Sequence, residues 1–508
     1  MSPDTMPSAF KELPVDVLIH VLSFLPASDL LSLRRVCRFL RAVTNERSVW
    51  INALRSYCKQ HNVYGSSFPV AEMSNGELKS AATGCTRFNA HMRRVFALSP
   101  ADNSEIAPLA TRVLQNPLEP REEFDNLRFV PGGRFVLSSH QNLVRVWDAG
   151  TQGGTPVVGP IASYEIPAIT RIRSVRTRAS PVAQDEILVV VTSVLDHFAF
   201  RLHVFRFRPT ACPPKLEPFC EDLVLPIFDD VPIFLGSTNR HIAVATNSRV
   251  LLWNIVKDTW VCWEQPHTHL EDAIYVCDNH IVTIRADSAE VYLSPMPSLK
   301  PRKDSDTAPF VNLPVTSTFQ LHRIARPDEQ LNTCVSGITL VFQGRETSPL
   351  FFDVMNEHDN GKVLLSHYVL ERGKDQTLKL RALGESAIPA RFAHSHTLHL
   401  EWLGCRISEG RPCVQSYVVE GSKLHVCLAD IDLAVAEGKD KSVLPRYTLG
   451  TLETPNLLVN EVNIDFCSFS ARICARVPGE RQGQYKVNVM EYVGLKESAD
   501  VAHKVTKL

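Results

Sequence analysis

The stretch Phe129–Asp148, FVPGGRFVLSSHQNLVRVWD, decides how most of this 508-residue chain is read. Pro131-Gly132-Gly133 is a turn, because proline pre-sets φ and glycine supplies a positive φ at no steric cost. Arg134 to Ser138 reads as a strand, His140 to Asn142 as a second turn, and Leu143 to Asp148 as another strand. A second copy lies at His241–Asn254, HIAVATNSRVLLWN, with Trp253-Asn254 in the place of Trp147-Asp148. One strand–turn–strand unit recurring at a distance is the mark of a repeat architecture.

Weaker echoes of the same strand ending follow at residues 202–207, 289–294, 349–354, 423–431 and 485–493. The candidate repeat ends are therefore Trp147, Phe205, Trp253, Tyr292, Phe352, Val426 and Val489, separated by 58, 48, 39, 60, 74 and 63 residues. A regular WD repeat takes roughly 40–45 residues, so long loops, or one hidden eighth unit, absorb the excess. Val146-Trp147-Asp148 resembles the end of a WD repeat. The resemblance implies an all-β propeller from about residue 107 to 508, with seven blades expected. Radial closure suits short antiparallel sheets because it leaves only short protected edges.

Upstream the periodicity is helical. In Leu13–Trp50, LPVDVLIHVLSFLPASDLLSLRRVCRFLRAVTNERSVW, the residues Val17, Leu18, Val21, Leu22 and Leu25 recur at three- and four-residue steps. Pro14 suits a first helical turn, and Asp16 suits the positive end of the helix dipole. Pro26 ends that helix, and Ser28 or Asp29 is placed to cap a second, whose stripe is Leu30, Leu33, Cys37 and Leu40. Val49 and Trp50 open a third, ending near Cys58. Three short helices cannot hide this many apolar side chains, which leaves a cap on the next domain or a docking surface.

The segment resembles the F-box, through Leu13-Pro14, Val17-Leu18, Leu22, Phe24-Leu25-Pro26, Asp29-Leu30, Leu33, Val36-Cys37-Arg38, Leu40 and Val49-Trp50. The resemblance implies binding to the Skp-family adaptor of SCF-type ubiquitin ligases, and through it to cullin and RING subunits. Its implied contact residues are Leu13, Pro14, Val17, Leu18, Leu22, Leu25, Leu30, Leu33, Val36, Cys37, Leu40 and Trp50. The whole chain resembles fungal-type F-box proteins with a WD-like propeller. Between the two parts, Ser74 stands three residues before Glu77, a capping box. Leu78, Ala81, Cys85, Phe88, Met92 and Val95 follow at helical spacing, so residues 74–97 form an amphipathic helix, a strut or a dimerisation helix. Gly84 in its middle weakens it by about 1 kcal/mol relative to alanine.

Lys+Arg 54 against Asp+Glu 55 gives a net charge of -1, so no global field draws the chain to nucleic acid or membrane. The N-terminus has neither a basic nor an apolar leader region, and Ile187–Leu195 is too short to span a bilayer. The 13 cysteines contain no C-x-x-C pair, and no N-x-[ST] acceptor occurs, which points to reduced thiols in the cytoplasm or nucleus. P-loop, G-x-S-x-G, H-E-x-x-H and G-x-G-x-x-G motifs are missing, so neither an enzyme nor a cofactor is expected. His394, His396 and His399 come nearest to a metal set, but on a strand His399 points away from the other two. Arg171, Arg173, Arg176 and Arg178 form the densest basic cluster. They are either a solvated strand face or a patch gripping carboxylates or phosphates.

The expectation is a multidomain chain: a tail at 1–12, a small all-α F-box at 13–60, a helical linker at 61–106 and the all-β propeller at 107–508. Its function would be substrate recognition for an SCF-type ligase, with the arginine cluster as candidate contact for an unknown protein substrate. The alternative is a scaffold whose F-box holds a stable partner without ubiquitin transfer.

Overall fold

The computed structural model describes residues 13–61, 63–97, 105–116, 124–151, 157–167, 170–195, 199–226, 233–245, 249–264, 273–285, 290–304, 308–321, 338–340, 350–357, 363–388, 403–408, 411–420, 423–430, 446–454, 464–467, 469–479 and 485–493. The tail 1–12 and the three histidines lie outside them.

Helices come first: α1 (Val15–Leu22), α2 (Ala27–Leu33), α3 (Arg38–Val43), α4 (Arg47–His61) and α5 (Asn75–Ala97). Pro14 occupies the N-cap of α1, one position before its expected place. The expected second helix is in fact two. Its chain breaks at residues 34–37, and Cys37 restarts it as the N-cap of α3, its Sγ accepting from Leu40 N at 3.5 Å. Ser28 and Asp29 do not cap α2, because that position belongs to Pro26. The capping box forms as expected: Ser74 N donates to Glu77 Oε2 at 2.7 Å and Glu77 N donates to Ser74 Oγ at 3.3 Å.

Among the described residues, the strands make seven sheets of four or five strands. The first is Asn126–Phe129, Phe135–His140, Leu143–Asp148 and Pro160–Glu165, paired in chain order as an antiparallel meander. The second runs Thr170–Ala179, Ile187–Leu195 and Ala199–Phe207, with Leu216–Pro218 and Leu223–Pro226 both on its third strand. The remaining sheets begin at Ile233, Ala273, Ile338, Leu403 and Ile464. The sheets pack in chain order, through shared apolar clusters or through strand contacts, which between the fifth and sixth sheets join Leu350–Glu357 to Leu403–Ser408. The seventh returns to the first, strand Ile464–Cys467 touching Asn126–Phe129. The result is a closed ring of propeller type.

Closure borrows the chain ahead of the first sheet. Strand Ala110–Leu114 pairs with Tyr485–Glu491 as the outer strand of the seventh sheet. Glu105–Ile106 already lies parallel to Arg446–Glu453 in the sixth, so the ring starts slightly before the expected residue 107. The seam is bolted by buried charge. Arg472 donates to Gly133 O at 2.8 Å and Gly150 O at 2.7 Å and pairs with Glu491, while Arg112 reaches the same Glu491 oxygen at 2.7 Å.

Trp147 and Trp253 hold equivalent places, each fifth in a six-residue third strand and fully buried. Trp147 Nε1 donates to Ser138 Oγ at 2.8 Å, and Trp253 Nε1 to Asp258 Oδ1 at 3.0 Å. Tyr292, Phe205, Val426 and Val489 also lie on third strands, but Phe352 does not. It belongs to Leu350–Glu357, the second strand of the fifth sheet, whose third is Val363–Arg372. Second and third strands of a meander carry the same alternation, so pattern alone could not separate them.

Consecutive turns of a meander alternate between the two faces of the ring. The helical arm sits on the face with the first-to-second-strand turns. Ser67 Oγ donates to Pro131 O at 2.9 Å, and Tyr57 meets Phe469 ring-edge-on at 5.9 Å. Helix α5 buries Leu78, Ala82, Cys85, Phe88 and Met92 against the ring. It is therefore a strut, and its apolar face is not available for dimerisation.

Candidate functional site

Two surfaces stand out, one on each face of the molecule. On the arm, α1 is apolar except for Asp16 and His20 on one side. Leu18 and Leu22 turn into the core, whereas Val17 and Val21, to one side of them on the helix, and Phe24, just past its end, face solvent. Phe24 is 74% exposed and Val36 61%. Isolated exposed apolar residues are ordinary, but a run on one helix beside another on the next turn marks an interaction surface. Trp50 is the anchor beneath: fully buried, it donates through Nε1 to Thr44 O at 2.8 Å.

Placement divides the twelve residues named from sequence. Leu18, Leu22, Leu30, Leu40 and Trp50 are buried within the chain and hold the arm together. Leu25, Leu33 and Cys37 are half-buried, and Leu13, Pro14, Val17 and Val36 are exposed. The buried five cannot touch a partner without unfolding the arm, so as contact residues they are corrected to core. Sequence reasoning missed Val15, Val21 and Phe24 as surface residues. Their signal was present, since a helix with apolar residues on both sides has one side too many for its own core.

On the ring, the arginines lie on Thr170–Ala179, the first strand of the second sheet and the end of its strand order. Arg171, Arg173 and Arg176 are exposed. Arg178 is buried, donates through Nη1 to Thr177 O at 2.7 Å, and so leaves the exposed set. Across the pair, Arg171, Arg176 and Arg178 face Val194, Val190 and Leu188, so no carboxylate stands opposite, and a bulge follows Ile172. The charges of Arg178 and Arg176 reach Tyr275, two sheets further round the ring. This first strand touches Asn126–Phe129, the first strand of the neighbouring sheet, which puts it on the inner side of the ring. Burial lowers the Arg178 pKa against the opposing pull of Tyr64 and Tyr275, and it raises both phenols above their ordinary values.

Tyr64, just beyond α4, is buried in the same apolar cluster as Val175, toward the arm end of that strand. The other end opens on the far face, beside the first sheet's turn at Gln141-Asn142. There Ile172 N donates to Gln141 O at 3.0 Å and Ile166 N to Asn142 O at 2.9 Å. Asp125 Oδ2 accepts from Gln141 N at 3.1 Å and lies 3.2 Å from His140 Nδ1. Asn142 Nδ2 donates to Glu165 Oε1 at 3.3 Å.

Residues 10–56 match the F-box-like family. The first part of the arm is an F-box-like domain. The comparison with curated proteins gives no match. Solved structures similar to the chain include Hsv2 of Kluyvelomyces marxianus, at 11% identity and TM-score 0.33 over 64% of this chain and 83% of that one. The WD40 domain of SCAP from fission yeast gives 10% and 0.32 over 76% and 82%. The Nup133 β-propeller domain of Vanderwaltozyma polyspora gives 12% and 0.29 over 65% and 86%. An F-box-like domain joined to a propeller-type ring is a protein-interaction architecture.

Behind the F-box, the ring holds one arrangement with the look of catalysis. Ser193 Oγ lies 2.8 Å from His203 Nε2, and His203 Nδ1 lies 2.8 Å from Asp222 Oδ2. Ser193 is wholly buried and His203 nearly so. The chain of bonds ties the second strand to the third and to the outer edge of one sheet, which is a structural role. Among the described residues, no group of three or more His, Cys, Asp or Glu side chains could hold a metal ion. Among the described residues, no helix is long and apolar enough to cross a membrane.

Proposed function

We propose that this chain is the substrate-recognition subunit of an SCF-type cullin–RING ubiquitin ligase acting in the cytoplasm or nucleus. The F-box takes a Skp-family adaptor, and the ring takes the protein substrate. The observation that carries this reading is the uncovered apolar face of the F-box: Val17, Val21, Phe24 and Val36 stay exposed although the ring is packed against the same domain. The contacts of Ser67 and Tyr57 use one ring face, which leaves the face at Gln141-Asn142 for a substrate. The arginines of the inner strand are its candidate contacts for acidic groups.

The chain itself transfers nothing. Holding substrate lysines near the ligase's ubiquitin-charged enzyme turns a chance encounter into a near-intramolecular reaction. The test is co-purification of the full chain with adaptor and cullin, followed by ubiquitin transfer to a captured substrate. Adaptor without cullin would favour the scaffold alternative, and loss of both would refute the adaptor role.

A further inference from the structure

The far-face turn of the first sheet gathers charge of both signs. Gln141 has a positive φ of 51°, a conformation held here from both sides. Asp125 grips its N–H, and its carbonyl accepts from Ile172 N, the residue between Arg171 and Arg173. Asn142 is held by Ile166 N and itself holds Glu165. This short turn therefore has carboxylates on the first-sheet side and guanidinium groups on the second-sheet side.

Opposite charges flanking one turn gain by pairing with each other. Here they do not. Arg171 and Arg173 make no ion pair among the described residues. Glu165 is spent on the Asn142 amide, and Asp125 on Gln141 N and His140. Backbone hydrogen bonds on both flanks fix the turn as a spacer between the two signs. A pre-set separation of charge favours a ligand of matching polarity and penalises one that places like charge on like.

We propose that this turn reads a bipolar peptide segment: an acidic group facing Arg171 and Arg173, and within a few residues a lysine or arginine facing Glu165 and Asp125. The inference rests on the ring being the substrate-recognition element and specifies what it selects. A purely acidic segment meets Glu165 unfavourably, and a purely basic one meets the arginines. A nucleic-acid strand offers only negative charge and is disfavoured for the same reason.

The test uses the full-length protein and two degenerate ten-residue peptide libraries, one with carboxylates as its only anions and one carrying phosphoserine. The expected result is joint selection of an anion and a basic residue. The better-enriched library identifies whether that anion is carboxylate or phosphate. A selected peptide should bind at least tenfold more tightly than its copy with the basic residue changed to Gln. Glu165→Lys should abolish that tenfold preference, and Arg171→Glu with Arg173→Glu should abolish selection of the anion. Asp125 stays unchanged because it supports the turn, and thermal unfolding confirms that each variant folds. Selection by anions alone, selection unmoved by Glu165→Lys, stronger binding of a ten-residue oligothymidylate, or no selection at all would each overturn the proposal. Adaptor and cullin co-purification is read separately. A chain that assembles the ligase without this selection refutes only the bipolar site, and one that selects peptides without binding adaptor refutes only the ligase role.

Discussion

The Cα of Gly84, midway along α5, lies so close to the backbone carbonyl of Phe469 that a Cβ at this position would collide with it. Phe469 sits on the first-to-second-strand turn of the seventh sheet, so the helix meets the ring main chain to main chain. A glycine that weakens an isolated helix is here the condition for docking it. Gly84→Ala should gain about 1 kcal/mol of helix propensity and lose about 1–3 kcal/mol to overpacking against a backbone that cannot move aside. Net destabilisation of the arm, read by thermal unfolding and by faster proteolysis after α5, is expected. An alanine variant as stable as the parent would remove this role for the contact.

The F-box should separate binding from folding residue by residue. Phe24→Ala and Val36→Ala are expected to lower adaptor affinity at least tenfold with little change in thermal unfolding, because both side chains are largely in water. Leu18→Ala or Trp50→Ala should destabilise the domain by about 2–5 kcal/mol, since each empties a buried site. Adaptor titration beside calorimetry distinguishes the two classes.

The seam between the seventh and first sheets depends on Glu491. Replacing it by Ala leaves Arg472, which is 1% exposed, and Arg112 without their shared carboxylate. Removing one partner of a buried ion pair typically costs about 3–5 kcal/mol. The expected outcome is a fall in the melting temperature of the whole ring, because the seam joins the borrowed strand Ala110–Leu114 to the closing sheet.

Acid should loosen the strut. Hydrogen bonds from Ser74 hold the Glu77 carboxyl below its ordinary value of 4.5. A carboxylate whose folded pKa is depressed stabilises fully above its unfolded value, and that contribution fades as pH falls through the folded one. The stability of the wild-type arm should therefore decline below about pH 4.5 more steeply than that of Glu77→Gln. Parallel pH curves for the two proteins would argue against the capping box as the source. The group is largely in solvent, so the effect is small.

Much of this was readable in one dimension. The turn at Pro131–Gly133, the paired strands around His140–Asn142, the second unit ending at Trp253 and the box at Ser74–Glu77 all form where local chemistry puts them. The failures have a common cause. Phe352 matches Trp147 as a repeat end in sequence yet lies on a second strand, because second and third strands alternate identically. Leu18 and Val17 were given one role because helical periodicity finds apolar sides without telling which of them the chain itself covers. The Ser193–His203–Asp222 chain went unseen because its three members come from separate strands and carry no shared motif.

By itself, the sequence determined what depends on neighbours along the chain: four helix-forming stretches, the strand-and-turn repeats, and an apolar excess near the N-terminus. Those follow from φ preferences, capping and periodicity, which act over a few residues. Only the tertiary structure decided which apolar side of α1 stays in water, that Arg178 is buried while Arg171 is not, and that Gly84 is a contact. It also decided that carboxylates and arginines flank one turn without pairing. Each of these is set by packing between segments up to hundreds of residues apart, and such packing leaves no local pattern to read.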